Sequence, residues 1–181
     1  RLTVDAVMDY IRSKSNEEAL KLAGLKEEED LFASVWKSAK NRWPWIAINL
    51  VTAFVATRVI GFFEGSIQQL VALATLMPIV ASIGGNTGNQ TIALVIRALA
   101  LEQISPASLA HLLRKELTVG IVNGLLWGGF AGTLAGLLYG HVWLGAVMTA
   151  AVLLNLVIAA TAGVVVPIAL DRMGRDPAQG A

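Results

Sequence analysis

Pro78-Ile79-Val80-Ala81-Ser82-Ile83-Gly84-Gly85-Asn86-Thr87-Gly88-Asn89-Gln90-Thr91 is the stretch whose reading decides the fold. It lies in a run, 65–96, that contains no Asp, Glu, Lys or Arg. That run is apolar and long enough to span a bilayer, which takes about 20 helical residues. Its middle nevertheless holds three glycines, two asparagines, a glutamine and hydroxyls. A polar group left unpaired in hydrocarbon costs several kcal/mol. Non-helical backbone survives at membrane depth only inside protein or against a watery cavity. The stretch therefore reads as a broken or glycine-opened membrane helix whose carbonyls and amides face a polar path. An uncharged, oxygen-rich lining suits a hard cation that keeps part of its hydration shell. The same residues also fit a glycine-weakened helix whose polar side chains bond to neighbouring helices.

Composition agrees with a membrane setting. The 181 residues are 55% hydrophobic and 15% charged, against about 25% charged in soluble domains. A net charge of +1 gives no electrostatic case for a nucleic-acid partner. The absence of cysteine removes disulfides and thiolate metal sites. The N-terminus is polar and charged, unlike a signal peptide. Charge is segregated: eight of the 14 basic and eight of the 13 acidic residues precede Trp43.

Taken in order, Leu2 and Val4 suggest a strand end, and Val7, Met8 and Ile11 recur at helical spacing. Residues 13–30 are polar and read as a solvated helix and loop. Over 31–43, Phe32, Val35, Trp36, Ala39 and Trp43 share one face, the pattern of a helix lying on a membrane surface. Pro44 suits the first turn of a new helix, and 45–63 makes a span with Arg58 as its single charge. Arg58 snorkels or pairs with Glu64 across the turn. The second span, 69–100, returns to water at Arg97 and Glu102. Ser105-Pro106 starts a short surface helix with Leu109, Leu112 and Leu113 on its apolar face and His111 as a surface residue.

Nothing in 117–170 carries a formal charge, and that length is too great for one crossing. Gly140-His141-Val142-Trp143 is the natural turn between spans 117–139 and 143–170. Glycine at 120, 124, 128, 132, 136 and 140 makes a ridge for close helix packing, inside the protomer or between protomers. Asn155, Thr161, Gly163 and Pro167 bend or line the last helix. The fold expected is an all-α polytopic membrane protein with four transmembrane helices and an amphipathic helix before them. Both termini then share the side that holds 13 of the 14 Lys and Arg residues, which is cytosolic by the positive-inside rule.

Gly84-Gly85-Asn86-Thr87-Gly88-Asn89-Gln90, followed by Ile96-Arg97-Ala98-Leu99-Ala100, resembles the second membrane helix of the MgtE magnesium channels. Phe63-Glu64, Arg114-Lys115-Glu116-Leu117 with Val119-Gly120, then Asn155, Gly163, Pro167 and Asp176-Pro177-Ala178 match that family in order. The resemblance implies three regions: 1–12 as the tail of a cystathionine-synthase-type regulatory domain, 13–43 as a connecting and plug-helix region, and 44–181 as the transmembrane domain. It implies a homodimer in the inner (plasma) membrane, below cytosolic regulatory domains, with Mg²⁺ both transported and regulatory. The ion pathway would fall on the Gly85 carbonyl, Asn86 and Asn89, with Ser82 where the family usually has glycine. Pro78, Gly84, Gly88 and Gln90 would clamp the pore helix. Asp5, Asp9, Glu17 and Glu18 would hold regulatory Mg²⁺. A fifth helix bearing a pore aspartate would begin where this sequence stops, which leaves Glu64 as the acidic residue near membrane depth.

Other function classes are weaker on the residues. There is no His-Glu-x-x-His and no intramembrane aspartate pair for an enzyme. A less selective transporter of Mn, Co or Ni is disfavoured by oxygen-only ligands without being excluded. A membrane scaffold would use the same amides only for packing.

Overall fold

The computed structural model describes residues 4, 7–10, 12–13, 34–101 and 103–174, and no strand occurs among them. Two compact units, 1–64 and 65–181, are taken separately.

In the first unit Val4, 7–10 and 12–13 are helical, so the strand end expected at Val4 is not formed. Helix α1, Val35–Gly61, runs for 27 residues with Pro44 inside it. The plug segment and the first span expected on either side of Pro44 are therefore one helix. A proline in a helix interior costs about 3 kcal/mol. A broken backbone bordering hydrocarbon costs more, because each freed polar group needs a partner. Trp36 and Trp43, two turns apart, meet edge to face at 5.4 Å between ring centroids. No residue of α1 is buried, as fits an apolar helix with lipid around it.

All of the short helix α2, Glu64–Gln69, but its first residue belongs to the second unit, with α3, Ala72–Ala100, α4, Pro106–Tyr139, and α5, Val142–Arg172. Ser105 caps α4: its hydroxyl accepts from the Ser108 amide at 3.2 Å, and the Ser108 hydroxyl accepts from the Ser105 amide at 2.8 Å. Proline follows the cap, as the sequence predicts. The expected surface helix and third span are continuous in α4, because neither proline nor glycine stands where they join, between Leu113 and Leu117. Gly140, at φ +68°, ends α4 in the left-handed conformation that glycine adopts without strain. Pro167 lies within α5 and does not end it.

Helix α5 is the middle layer, with α3 and α4 each packed along it. The glycine ridge explains the closeness of α4. A β-carbon on Gly128 would sit 2.9 Å from the Thr149 carbonyl, and one on Gly132 would collide with the Gly145 carbonyl. The reverse holds, since a β-carbon on Gly145 would lie 2.6 Å from the Gly132 carbonyl. The ridge is thus spent inside the chain. Two apolar clusters flank the midsection: Ala135, Met148, Val152 and Leu156 in one, Val95, Val164 and Ile168 in the other.

Three helical segments are long and apolar enough to cross a membrane: Val35–Gly61, Ser108–Tyr139 and Val142–Arg172. At 29 residues α3 has the length, but its central amides and glycines lower its hydropathy. The architecture is an all-α polytopic membrane fold.

The ridge makes a paired prediction. Gly132→Ala should lower the unfolding free energy by about 1–3 kcal/mol through overpacking. Gly129→Ala, where a β-carbon meets nothing within 4 Å, should leave it nearly unchanged. Thermal unfolding in detergent compares the two, and equal effects would show that the ridge does not set the packing.

Candidate functional site

The motif 84–90 does not break its helix. Helix α3 is continuous from Ala72 to Ala100, and the interruption falls earlier, at Leu70 and Val71 between α2 and α3. The reason is visible in what the glycines do. A β-carbon on Gly84 would collide with the Asn155 amide, and one on Gly88 would reach Ala159 at 3.9 Å. Their small size lets α5 approach, while the helix keeps its own hydrogen bonds.

Two polar contacts hold this helix. Toward its start, Asn155 of α5 donates its Nδ2 to the Val80 carbonyl at 2.5 Å, through the space Gly84 leaves open. Toward its end, Thr91 is buried where three helices meet. Its side chain lies against Gly163 of α5, and its hydroxyl donates to Glu116 Oε2 of α4 at 3.3 Å. Near the other end of α4, Thr75 and Tyr139 share a hydroxyl–hydroxyl bond of 2.7 Å.

With that side fixed, the spacing of the rest follows from 3.6 residues per turn. Ser82, Gly85, Asn86 and Asn89 share one face, and all four are exposed. Among the described residues none of the side chains of Ser82, Asn86 and Asn89 has a hydrogen-bond partner. In a continuous helix the Gly85 carbonyl already accepts from the amide four residues on. Its second lone pair, and the absence of a side chain, are what it offers a ligand. Gly84 and Gly88 occupy contact positions. Gln90, expected as a clamp, is exposed and borders a groove between α3 and α4. Pro78 is exposed in the first half of α3.

The groove has a volume of about 560 Å³; Asn86, Thr87, Gln90 and Asn123 form its polar wall, and Trp127, Phe130 and Leu134 are among its apolar lining. A smaller pocket of about 220 Å³ adjoins it and includes Thr91 and Glu116. Glu116 is a buried carboxylate that the sequence does not plainly mark as one. It lies in the first third of α4 with its side chain only 8% exposed. The sequence carried a signal for it: Glu116 stands four residues before Gly120, in phase with the glycine ridge that packs on α5. The charges of Arg114 and Lys115 beside it hid that phase.

Among the described residues no three of His, Cys, Asp or Glu come together as a metal cluster. Any cation here would meet amides, hydroxyls and carbonyls, with Glu116 as a lone carboxylate. Of the regulatory candidates, Asp5, Glu17 and Glu18 lie outside the described residues, and Asp9 is helical and exposed.

Comparison with known proteins adds to this geometry. A family model described as MgtE, divalent cation transporter, matches residues 77–181. The magnesium transporter MgtE of Bacillus subtilis is 29% identical over 98% of the chain and 39% of its own length. That of Thermus thermophilus is 30% identical over 98% of the chain and 40% of its own length. That of Enterococcus faecalis is 28% identical, again over 98% of the chain and 39% of its own length. The chain therefore spans about two fifths of the length of these curated relatives.

The clamp at Val80 is testable. Asn155→Ala should cost about 1 kcal/mol of unfolding free energy, the usual worth of a buried interhelical hydrogen bond. Gly84→Ala should cost more, because it displaces the amide as well. Thermal melts of the two variants in detergent decide this, and a Gly84→Ala protein as stable as the parent would remove the clamp.

Proposed function

Because the chain belongs to the MgtE family of divalent cation transporters, we propose that it carries magnesium ions across a membrane along the Ser82, Gly85, Asn86 and Asn89 face of α3. The observation that carries this reading is that face itself. It is a contiguous row in which Ser82, Asn86 and Asn89 are exposed, with side chains that have no partners among the described residues. Amides in hydrocarbon need hydrogen bonds, and a water-filled path with a hydrated cation supplies them.

Mg²⁺ sheds water reluctantly and binds directly only at about 2.0–2.1 Å in octahedral geometry. Asn86 and Asn89 would therefore contact its water shell, with Ser82 adding a hydroxyl and Gly85 letting the shell approach the backbone. The inside-negative potential drives each charge with about 2.3 kcal/mol per 100 mV, twice that for a divalent ion. No covalent step is required, so the reading is of a transporter and not an enzyme. Oxygen-only ligands suit hard ions such as magnesium and manganese better than cobalt and nickel, which take nitrogen and sulfur readily, and the magnesium transporters among the relatives favour magnesium of the two.

The wider assembly belongs to the same proposal. The protein works as a homodimer in the plasma membrane with a cytosolic N-terminus, joined to cytosolic regulatory domains. The segment 31–43 serves as the plug, and Asp5, Asp9, Glu17 and Glu18 sense cytosolic Mg²⁺ and close the pore.

The test is Mg²⁺ flux into liposomes by the full-length protein. Asn86→Ala and Asn89→Ala should each reduce flux severalfold while melting temperature holds, because exposed side chains contribute little to packing. A scaffold role predicts the reverse, altered stability with intact flux. Flux unchanged in both variants would remove these side chains from the pathway. A single Asn89→Cys in this cysteine-free stretch, within a full-length protein with any other cysteines removed, should also react with a water-soluble thiol reagent and lose that reactivity as Mg²⁺ is raised.

A further inference from the structure

Glu116 is a carboxylate whose described partners are too few for its burial. An ionised carboxylate accepts at about four lone-pair positions. Here Oε2 receives the Thr91 hydroxyl at a long 3.3 Å. Oε1 lies 3.7 Å from Lys115 Nζ, beyond hydrogen-bond length, and the Lys115 side chain is 61% exposed. A charge taken out of water needs a closer counter-charge or more donors than these.

The remaining side of the carboxylate borders the 220 Å³ pocket, which also has Thr87, Gln90, Thr91 and Asn123 on its lining and Lys115 at its solvent-exposed edge. Five oxygen-bearing side chains from α3 and α4 thus surround one space. Among the described residues Thr87, Gln90 and Asn123 have no hydrogen-bond partner. Gly120, between Glu116 and Asn123, puts no side chain into the gap. At about 30 Å³ per water, the volume suits an ion that keeps roughly six waters. No nitrogen or sulfur ligand of the kind that transition metals favour is present, so the donors suit a hard cation.

We propose that the pocket around Glu116 is a binding site for a hydrated divalent cation, separate from the outward face of α3. The bound ion replaces Lys115 as the counter-charge of Glu116. The pocket shares Thr87, Gln90 and Asn123 with the larger groove, which also reaches Asn86. An ion there would therefore stand beside the proposed pathway, within the wall that holds α3.

The site rests on the transport reading only for the class of ion, and binding can be measured without flux. The experiment titrates the purified full-length protein in detergent with Mn²⁺, read by the loss of its free-ion EPR signal, with Mg²⁺ as competitor. Glu116→Gln keeps an oxygen to accept the Thr91 bond but removes the charge, and should abolish one Mg²⁺-competable Mn²⁺ per chain. Lys115→Met removes an exposed competing charge and should bind that ion about tenfold tighter. Asn86→Ala and Asn89→Ala should leave this ion in place. Unchanged stoichiometry in Glu116→Gln overturns the proposal, as does unchanged affinity in Lys115→Met, a variant on an exposed side chain that folds even if Glu116→Gln does not. Loss of flux specificity with intact Glu116-dependent binding would overturn the transport reading and leave this site standing.

Discussion

Backbone contact between α4 and α5 is the constraint on which the second unit rests. At Gly132 and Gly145 each helix occupies the space that a β-carbon on the other would need. Lipid gives apolar helices no hydrophobic reason to associate, so dispersion contact and interhelical hydrogen bonds must do it. A row of glycines maximises that contact and leaves α5 seated in α4 along one side. The other side of α5, including Gly163 and Asn155, is then available to α3.

The polarity of α3 is sorted by this seat. Its glycines divide between two uses: Gly84 and Gly88 admit α5, whereas Gly85 faces outward with open space around it. Its polar side chains divide likewise. Thr91 is consumed by burial and by Glu116, whereas Ser82, Asn86 and Asn89 are exposed. One short motif thus supplies both an adhesive face and an exposed one. The two uses need different chemistry, which is why glycine and asparagine alternate so closely there.

Much of this was legible in the sequence where a period or a cap dictates it. The every-fourth-residue glycines fixed one face of α4, Ser105-Pro106 its start and Gly140 its end. The reading failed where a local signal competed with the cost of exposing backbone to lipid. Pro44 and the 84–90 glycines are breakers in water, yet both sit inside unbroken helices, because continuity satisfies every amide. Burial of Glu116 and the bond from Asn155 to Val80 depend on residues 25 and 75 positions apart in the chain. Pairings of that range follow from how three helices meet, and no window of sequence contains them. Gln90 reaches the groove beside Asn86 for a simpler reason: one step of 100° around the helix separates it from Asn89.

The two hydrogen bonds that join α3 to α4, Thr75 to Tyr139 and Thr91 to Glu116, lie near opposite ends of α3. Between them lies the groove, where no described hydrogen bond crosses. Mechanically α3 is a beam with a support between those two bonds, because Asn155 grips Val80 and α5 packs on Gly84. A beam propped in this way resists bowing and passes a load on its outward row to the member beneath it. The height of the row bearing Asn86 and Asn89 is thus set by the seat of α3 on α5.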